Sequence, residues 1–236
     1  VPKVKGDLRE LNDSFQEESI LPYFGDLKVN TKAARARMVY FFMPSLDITL
    51  RALCIFFIVL RNIYWLLSEF KANKEKPRRT SSTFIKQIQH LLVHFMWFLL
   101  VLQLAGLQLF AFSYNSFLQI LGFMLFVIGI FISLLARHKL GTNWTHAGEY
   151  QIKVHHELIT EGVYRYIRHP IYSGLLFSYV GGQLVTSSYL APFFLIILFH
   201  LSYIQAKREE KLLLNHFGEK YVNYMKNSKM LIPHIV

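Results

Sequence analysis

Apolar residues fall in long runs separated by short polar or charged stretches. Residues 48–68, 88–112 and 117–136 are each close to the roughly 20 residues that a helix needs to cross the hydrocarbon core of a bilayer. Two later runs, 171–186 and 189–203, are short for a span and reach across only with tilt or local thinning of the bilayer. The pattern predicts an all-α, polytopic membrane protein with about five transmembrane helices. Residues 113–116 and Ser187-Ser188 are uncharged turns that close two helical hairpins. The first run is the poorest, because Arg51 and Arg61 interrupt it near its ends, where both are expected to snorkel. Beyond the fifth run, Leu213, Phe217, Tyr221 and Tyr224 keep a helical rhythm through a charged tail.

Residues 1–37 are polar and mixed in charge, without a helical or strand period. They read as a tail outside the native fold, and the chain proper is expected to begin near Met38. Composition agrees with the membrane class: hydrophobic residues make up 53% and phenylalanine alone numbers 21. A net charge of +11 raises nucleic acid as a partner. The basic residues lie between and beside the apolar runs, however, which fits the cytoplasmic face of an anionic membrane better than nucleic acid. Residues 71–86, the polar insert 140–169 and the tail from Lys207 carry the positive charge, so all three are placed in the cytoplasm. The single cysteine, Cys54, lies in an apolar run and excludes both an intrachain disulfide and a cysteine-cluster metal site.

One polar stretch stands out at the head of the fourth run: Arg168-His169-Pro170-Ile171-Tyr172-Ser173-Gly174. Pro170 suits the first turn of a helix. Arg168 and His169 then flank a helix N-terminus, where free N–H groups favour an anionic ligand group. Two readings stay open on these residues: a ligand site, or juxtamembrane anchoring with a tyrosine in the interfacial belt. The last hairpin brings Tyr172 and Arg208-Glu209-Glu210 to the same end, and Gln205 shares a helix face with Glu209. The histidines His138, His146, His155, His156 and His169 match no metal-ligand spacing, so no metal is expected. Dinucleotide, phosphate-loop, zinc-protease and serine-hydrolase motifs are absent.

Several motifs together are more specific. Leu140-Gly141-Thr142-Asn143-Trp144, His156-Glu157-Leu158-Ile159-Thr160-Glu161-Gly162-Val163-Tyr164-Arg165-Tyr166 and the Arg168–Gly174 stretch stand in register. Glu209-Glu210-Lys211-Leu212-Leu213, Phe217-Gly218-Glu219-Lys220-Tyr221 and Leu231-Ile232-Pro233 follow. In order and spacing these resemble the signature of the isoprenylcysteine carboxyl methyltransferase family. The resemblance covers residues 140–233; the earlier helices agree only in type. It implies an integral-membrane enzyme that uses S-adenosylmethionine without a Rossmann domain, with a cytoplasmic cofactor site built from the C-terminal half. The domain plan is then a tail over 1–37, N-terminal membrane helices over 38–139, and a catalytic region over 140–236.

Cofactor contacts carry over from the family onto His156, Glu157, Leu158, Ile159, Tyr164, His169, Pro170, Ile171, Tyr172 and Glu209. A further contact falls on Glu149 or Gln151 and is not assigned. Aromatic rings and a carboxylate suit a sulfonium and an ammonium, while His169 and nearby backbone donors suit the cofactor's carboxylate. Gln205 and Arg168 are the expected substrate contacts. At Gln205 this chain departs from the family, which usually has an arginine there suited to a substrate carboxylate; glutamine has neither the charge nor the fork.

The acceptor implied is lipophilic, enters laterally from the bilayer, and is an isoprenylcysteine carboxylate in the first instance. A phospholipid amine is the nearest alternative. Two other classes compete: a sterol-type reductase, which shares a His-Pro-x-Tyr-x-Gly segment and binds NADPH, and a scaffold that binds neither cofactor.

Overall fold

The computed structural model describes residues 46–72, 84–108, 110–112, 115–144 and 156–232, and the statements below concern these alone. They form helices α1 (Leu46–Ala72), α2 (Phe84–Leu104), α3 (Ser116–Leu140), α4 (Pro170–Val185), α5 (Ala191–Phe217) and α6 (Glu219–Asn227), with 3-10 turns at Gly141–Asn143 and Gly162–Arg165. The N-terminal tail, the basic loop after α1 and the middle of the polar insert lie outside the described residues. So do Glu149, Gln151, His146 and His155.

The first five helices alternate in direction between two faces. At one face the hairpin turns meet: Phe112 N–H donates to Ser187 O at 2.8 Å and Tyr189 N–H to Phe110 O at 2.9 Å. At the other face lie the C-terminal ends of α1 and α3, the start of α4 and the continuation of α5. By length and apolarity three helices can cross a membrane, Leu46–Phe70, Gln87–Leu104 and Ser116–Asn143. Helix α4, with 16 residues, is short of the roughly 20 needed.

The surface is that of a protein facing lipid. Phe117, Leu91 and Ile196 are each about 70% exposed, whereas Arg51, Gln103, Gln119, Arg137 and Gln183 are buried. Apolar side chains outward with polar ones inside is what a membrane interior selects.

Local signals explain the boundaries. The Asn115 side chain accepts from Leu118 N–H at 3.2 Å and caps α3. Helix α2 ends at Leu104, eight residues before the apolar run does, where Gly106 takes a positive φ of 112°. Helix α5 does not break where its apolar run ends at Tyr203. It continues through the charged tail to Phe217, and Gly218 at φ 53° then turns the chain into α6. The rhythm from Leu213 to Tyr224 therefore belongs to two helices, not one.

Arg51 does not snorkel. Its Nε donates to Asp47 Oδ1 at 2.7 Å and its Nη1 to Gln103 O at 2.8 Å, one turn-closing ion pair buried among α1, α2 and α3. Gln119 completes that cluster, with Nε2 donating to Asp47 Oδ1 at 2.8 Å and Val185 O at 3.1 Å. The partners it finds inside outweigh a long reach to water.

Helices α3 and α4 pack backbone to backbone. Gly122 and Gly129 on α3 face Gly181 and Gly174 on α4. A Cβ on Gly129 would stand 2.4 Å from Ser178 N, and one on Gly181 would stand 2.4 Å from Phe126 N. Close approach of this kind replaces the missing hydrophobic drive between helices in lipid. Gly181→Leu should therefore force α4 off α3 and cost at least the roughly 1–3 kcal/mol of an overpacked core. Thermal unfolding in detergent reads this, with the outward-facing Leu121→Ala as the neutral control. This contact fixes where the head of α4, Arg168 to Tyr172, stands relative to the end of α3.

Candidate functional site

The head of α4 is held by the far end of the chain. Arg168 N–H donates to Lys229 O at 2.7 Å, His169 N–H to Met230 O at 3.0 Å, and Lys229 N–H to Tyr166 O at 3.0 Å. Ser173 Oγ adds a bond to Leu231 O. Arg168 clasps the same segment from its side chain, with Nη1 donating to Ser228 O and Met225 O. Its Nε pairs with Glu210 Oε1 at 2.6 Å, and both side chains are buried. Leu231 is completely buried, so the C-terminal Leu231-Ile232 motif is a structural strap beneath the site.

Adjacent residues on α5 divide the work. Glu210 points to Arg168, while Glu209 turns about 100° away to the other side of the cluster. Tyr172 Oη donates to Glu209 Oε1 at 2.5 Å and Gln205 Nε2 donates to the same oxygen at 3.1 Å. His169 Nδ1 lies 3.3 Å from Glu209 Oε2, and its Nε2 lies 3.6 Å from Glu210 Oε1 without a hydrogen bond. The imidazole stacks on the Tyr172 ring at 5.8 Å. Burial alone would favour neutral imidazole, but the two carboxylates outweigh it and raise the His169 pKa. Burial likewise opposes the Glu210 carboxylate, yet His169 and Arg168 hold its pKa below the ordinary value.

These contacts change the expected chemistry of the helix head. The His169 N–H is spent on Met230, and the imidazole faces two carboxylates. The start of α4 therefore presents acid and aromatic surface rather than free donors for an anion.

The cluster opens into a cavity of about 740 Å³, within the range of small-molecule sites. His156, Glu157, Leu158, Ile159, Tyr164, Arg168, His169, Ile171, Tyr172, Gln205 and Glu209 all line it. Pro170 does not; it is buried at the first position of α4 and shapes the turn. Glu157 N–H donates to Asn143 Oδ1 at 3.0 Å, which ties the segment after the insert to the end of α3. Tyr224 Oη donates to Tyr164 O at 2.6 Å, so α6 braces the opposite edge. Arg137, completely buried, lies with its Cζ 4.3 Å from the Trp144 ring, and Trp65 meets Trp144 edge-on at 6.1 Å.

Sequence reasoning missed a whole wall of this cavity. Its inner wall comes from α1 and α2: Ile58, Arg61, Asn62 and Trp65 from one, Gln89, His90, Val93, His94, Trp97, Phe98 and Val101 from the other. Arg61 does not snorkel either; it turns inward. All three tryptophans of the chain line the same space. The available signal was an arginine inside an apolar run with a tryptophan one helical turn on, since ionisable groups at membrane depth default to function.

Comparison with known proteins agrees with the motifs. A family model described as phospholipid methyltransferase matches residues 117–220. The chain is 30% identical over 115 residues to protein-S-isoprenylcysteine O-methyltransferase B of Arabidopsis thaliana, covering 48% of this chain and 58% of that protein. It is 29% identical over 131 residues to the protein-S-isoprenylcysteine O-methyltransferase of Saccharomyces cerevisiae, 55% of each. With the Homo sapiens protein of the same name the identity is 26% over 121 residues, 51% of this chain and 43% of that one. The chain spans about half the length of the curated relatives it matches. A solved structure of the eukaryotic intramembrane Ras methyltransferase, an isoprenylcysteine carboxyl methyltransferase, superposes with a TM-score of 0.57 at 19% identity, over 82% of this chain and 70% of that one. The chain thus resembles the isoprenylcysteine carboxyl methyltransferases in sequence and shares their polytopic helical fold.

Proposed function

We propose that the chain is an integral-membrane methyltransferase that moves a methyl group from S-adenosylmethionine to the carboxylate of an isoprenylcysteine-like acceptor, with the site facing the cytoplasm. The observation that carries this is the two-sided cavity. One wall is the acidic and aromatic cluster of His169, Tyr172 and Glu209; the other combines apolar and aromatic side chains with basic and amide ones and belongs to helices that face lipid.

The cluster suits the cofactor. Arg168 is matched to Glu210, which leaves Glu209, oriented by Tyr172 and Gln205, as this cluster's carboxylate on the cavity wall, with Glu157 lining the same cavity from the insert. A carboxylate beside aromatic rings favours a sulfonium and an ammonium. His156 to Ile159, Tyr164 and Ile171 line the rest of that end. When bound, S-adenosylmethionine supplies an electrophilic methyl group whose acceptance by a carboxylate requires no base and moves no proton. The chain's own part is to align, to desolvate and to hold the acceptor oxygen in line. The apolar part of the α1 and α2 wall, Ile58, Val93, Phe98 and Val101, accepts a prenyl tail entering from the bilayer. A phospholipid amine, as the description of the family model suggests, would need a group to take its proton, and Glu209 and His169 are already committed to each other.

The test is a titration of the detergent-solubilised full chain with S-adenosylmethionine and with NADPH, read by intrinsic fluorescence because every tryptophan lines the cavity. S-adenosylmethionine should bind saturably and NADPH should not. The loaded protein should then methylate a prenylcysteine and leave an aminophospholipid unchanged. Saturable NADPH binding without S-adenosylmethionine binding would move the chain to the reductase class.

A further inference from the structure

The cavity holds a cation that the cofactor cluster does not use. Arg61, on the α1 wall, stands about 15 Å along the helix from Arg51 at 1.5 Å per residue, two turns before the end of the apolar run 48–68. Its Cζ lies 5.1 Å from the Trp97 ring centroid and 5.8 Å from that of Trp65. Its Nη2 donates to the neighbouring Asn62 Oδ1 at 3.0 Å. Its Nε and Nη1 are buried and have no hydrogen-bond partner among the described residues. No carboxylate pairs with it there either, in contrast to Arg51 with Asp47 and Arg168 with Glu210.

A buried guanidinium with two idle donors is costly unless an anion completes it. Two tryptophan faces steady its plane but accept no N–H bonds. Its position says which anion. Trp97 packs edge-on against the fully buried core residue Tyr179 at 5.5 Å, toward the apolar depth of the cavity. Trp65 packs on Trp144, toward the cofactor end. Arg61 thus sits where an apolar tail gives way to a polar head.

We infer that Arg61 is the acceptor-carboxylate site of this chain, the role left open by glutamine at position 205. The inference rests on the methyltransferase reading for the identity of the acceptor. Arg61 and Gln205 line the same cavity from different helices, so a ligand held there is offered a guanidinium fork by one and only an amide by the other. The arrangement also favours turnover. Methylation converts the carboxylate to a neutral ester, which loses the ion pair with Arg61 and leaves.

The experiment compares the full chain with Arg61→Gln and Arg61→Lys in detergent. Tryptophan fluorescence reports binding of N-acetyl-S-farnesylcysteine, its carboxamide, farnesyl phosphate and S-adenosylmethionine. The parent should bind the carboxylate at least tenfold tighter than the carboxamide. In Arg61→Gln that preference should fall below twofold, with carboxamide and S-adenosylmethionine affinities unchanged. Arg61→Lys should keep a smaller preference, because the charge remains and the fork is lost. The ligand-free thermal midpoint of Arg61→Gln should rise, since an unmatched buried charge has gone.

A parent without the preference overturns the inference, and so does a preference that survives Arg61→Gln. Selective loss of S-adenosylmethionine affinity would assign Arg61 to the cofactor instead and overturn it as well. A parent that prefers farnesyl phosphate to the carboxylate would reassign it to lipid phosphate. If Arg61→Gln does not fold, Arg61→Lys decides, and an undiminished preference there counts against the role. A parent that fails to bind S-adenosylmethionine but keeps an Arg61-dependent carboxylate preference would sink the methyltransferase reading and leave the carboxylate site standing.

Discussion

Glu210→Ala should be the most damaging single change in the C-terminal half, costing about 3–5 kcal/mol of stability, the usual result of breaking one side of a buried ion pair. Glu210 is 3% exposed, and its Oε1 lies 2.6 Å from Arg168 Nε. Without it Arg168 is left charged and buried. The Arg168 clasp on Ser228 and Met225 loosens with it, and so does the strap that pairs residues 167–169 with 229–230. Glu210→Gln keeps an acceptor for Arg168 and should cost less. Acid should mimic the alanine variant. The Glu210 pKa is lowered in the folded state, so its stabilisation is present above the unfolded glutamate value of about 4.3 and is lost as the pH falls through the folded value. Thermal midpoints of parent and Glu210→Ala, measured from neutral to acid pH, should converge. A constant gap would show that the pair is not the source of the stability.

Glu209→Gln should leave the fold intact and weaken S-adenosylmethionine. The carboxylate is the only acid on the cavity wall within this cluster, and its neighbours Tyr172 and Gln205 are neutral. A hydrogen bond to a charged group is worth about 1.5–3 kcal/mol, which corresponds to about 10- to 150-fold in Kd. Tyr172→Phe removes a neutral donor that orients the carboxylate and should cost less, about 1 kcal/mol. Glu210→Gln, compared per folded molecule, should change cofactor affinity little, because Glu210 does not line the cavity. Equal losses at Glu209 and Glu210, or the reverse order, would remove the distinction between them.

Much of the fold was legible along the chain. Apolar runs of spanning length, Pro170 at a helix start and uncharged turns at residues 113–116 and at Ser187-Ser188 are local signals, and they predicted the five alternating helices that the structure describes. The motifs from Leu140 to Leu231 likewise marked the residues around His169 and Glu209, since helix spacing alone places Gln205 and Glu209 on one face and turns Glu210 away. Boundaries set by context were less legible. The end of α5 depends on what packs against its charged half, and apolarity ends fourteen residues earlier, so the pattern stopped the helix at the membrane face.

The sequence by itself determined the helical membrane class and the helix order, because apolar run length and turn residues are local signals; the residues lining the polar end of the cavity were marked by the family resemblance. Tertiary structure alone decided what those residues face. Glycines 122, 129, 174 and 181 bring two backbones together and set the head of α4 against the end of α3. The strap from Ser228 to Leu231 takes up the N–H groups of Arg168 and His169, turning an expected anion site into an acidic and aromatic one. Arg51 and Arg61 carry the same charge in the same apolar run, and what separates them locally is an aspartate one turn before the first and a tryptophan one turn after the second. One is neutralised by Asp47 on its own helix and donates to a carbonyl of α2, while the other meets Asn62 and Trp65 on its own helix and Trp97 on α2. What α2 adds, the Gln103 carbonyl to Arg51 and the Trp97 ring to Arg61, is information the linear pattern does not contain.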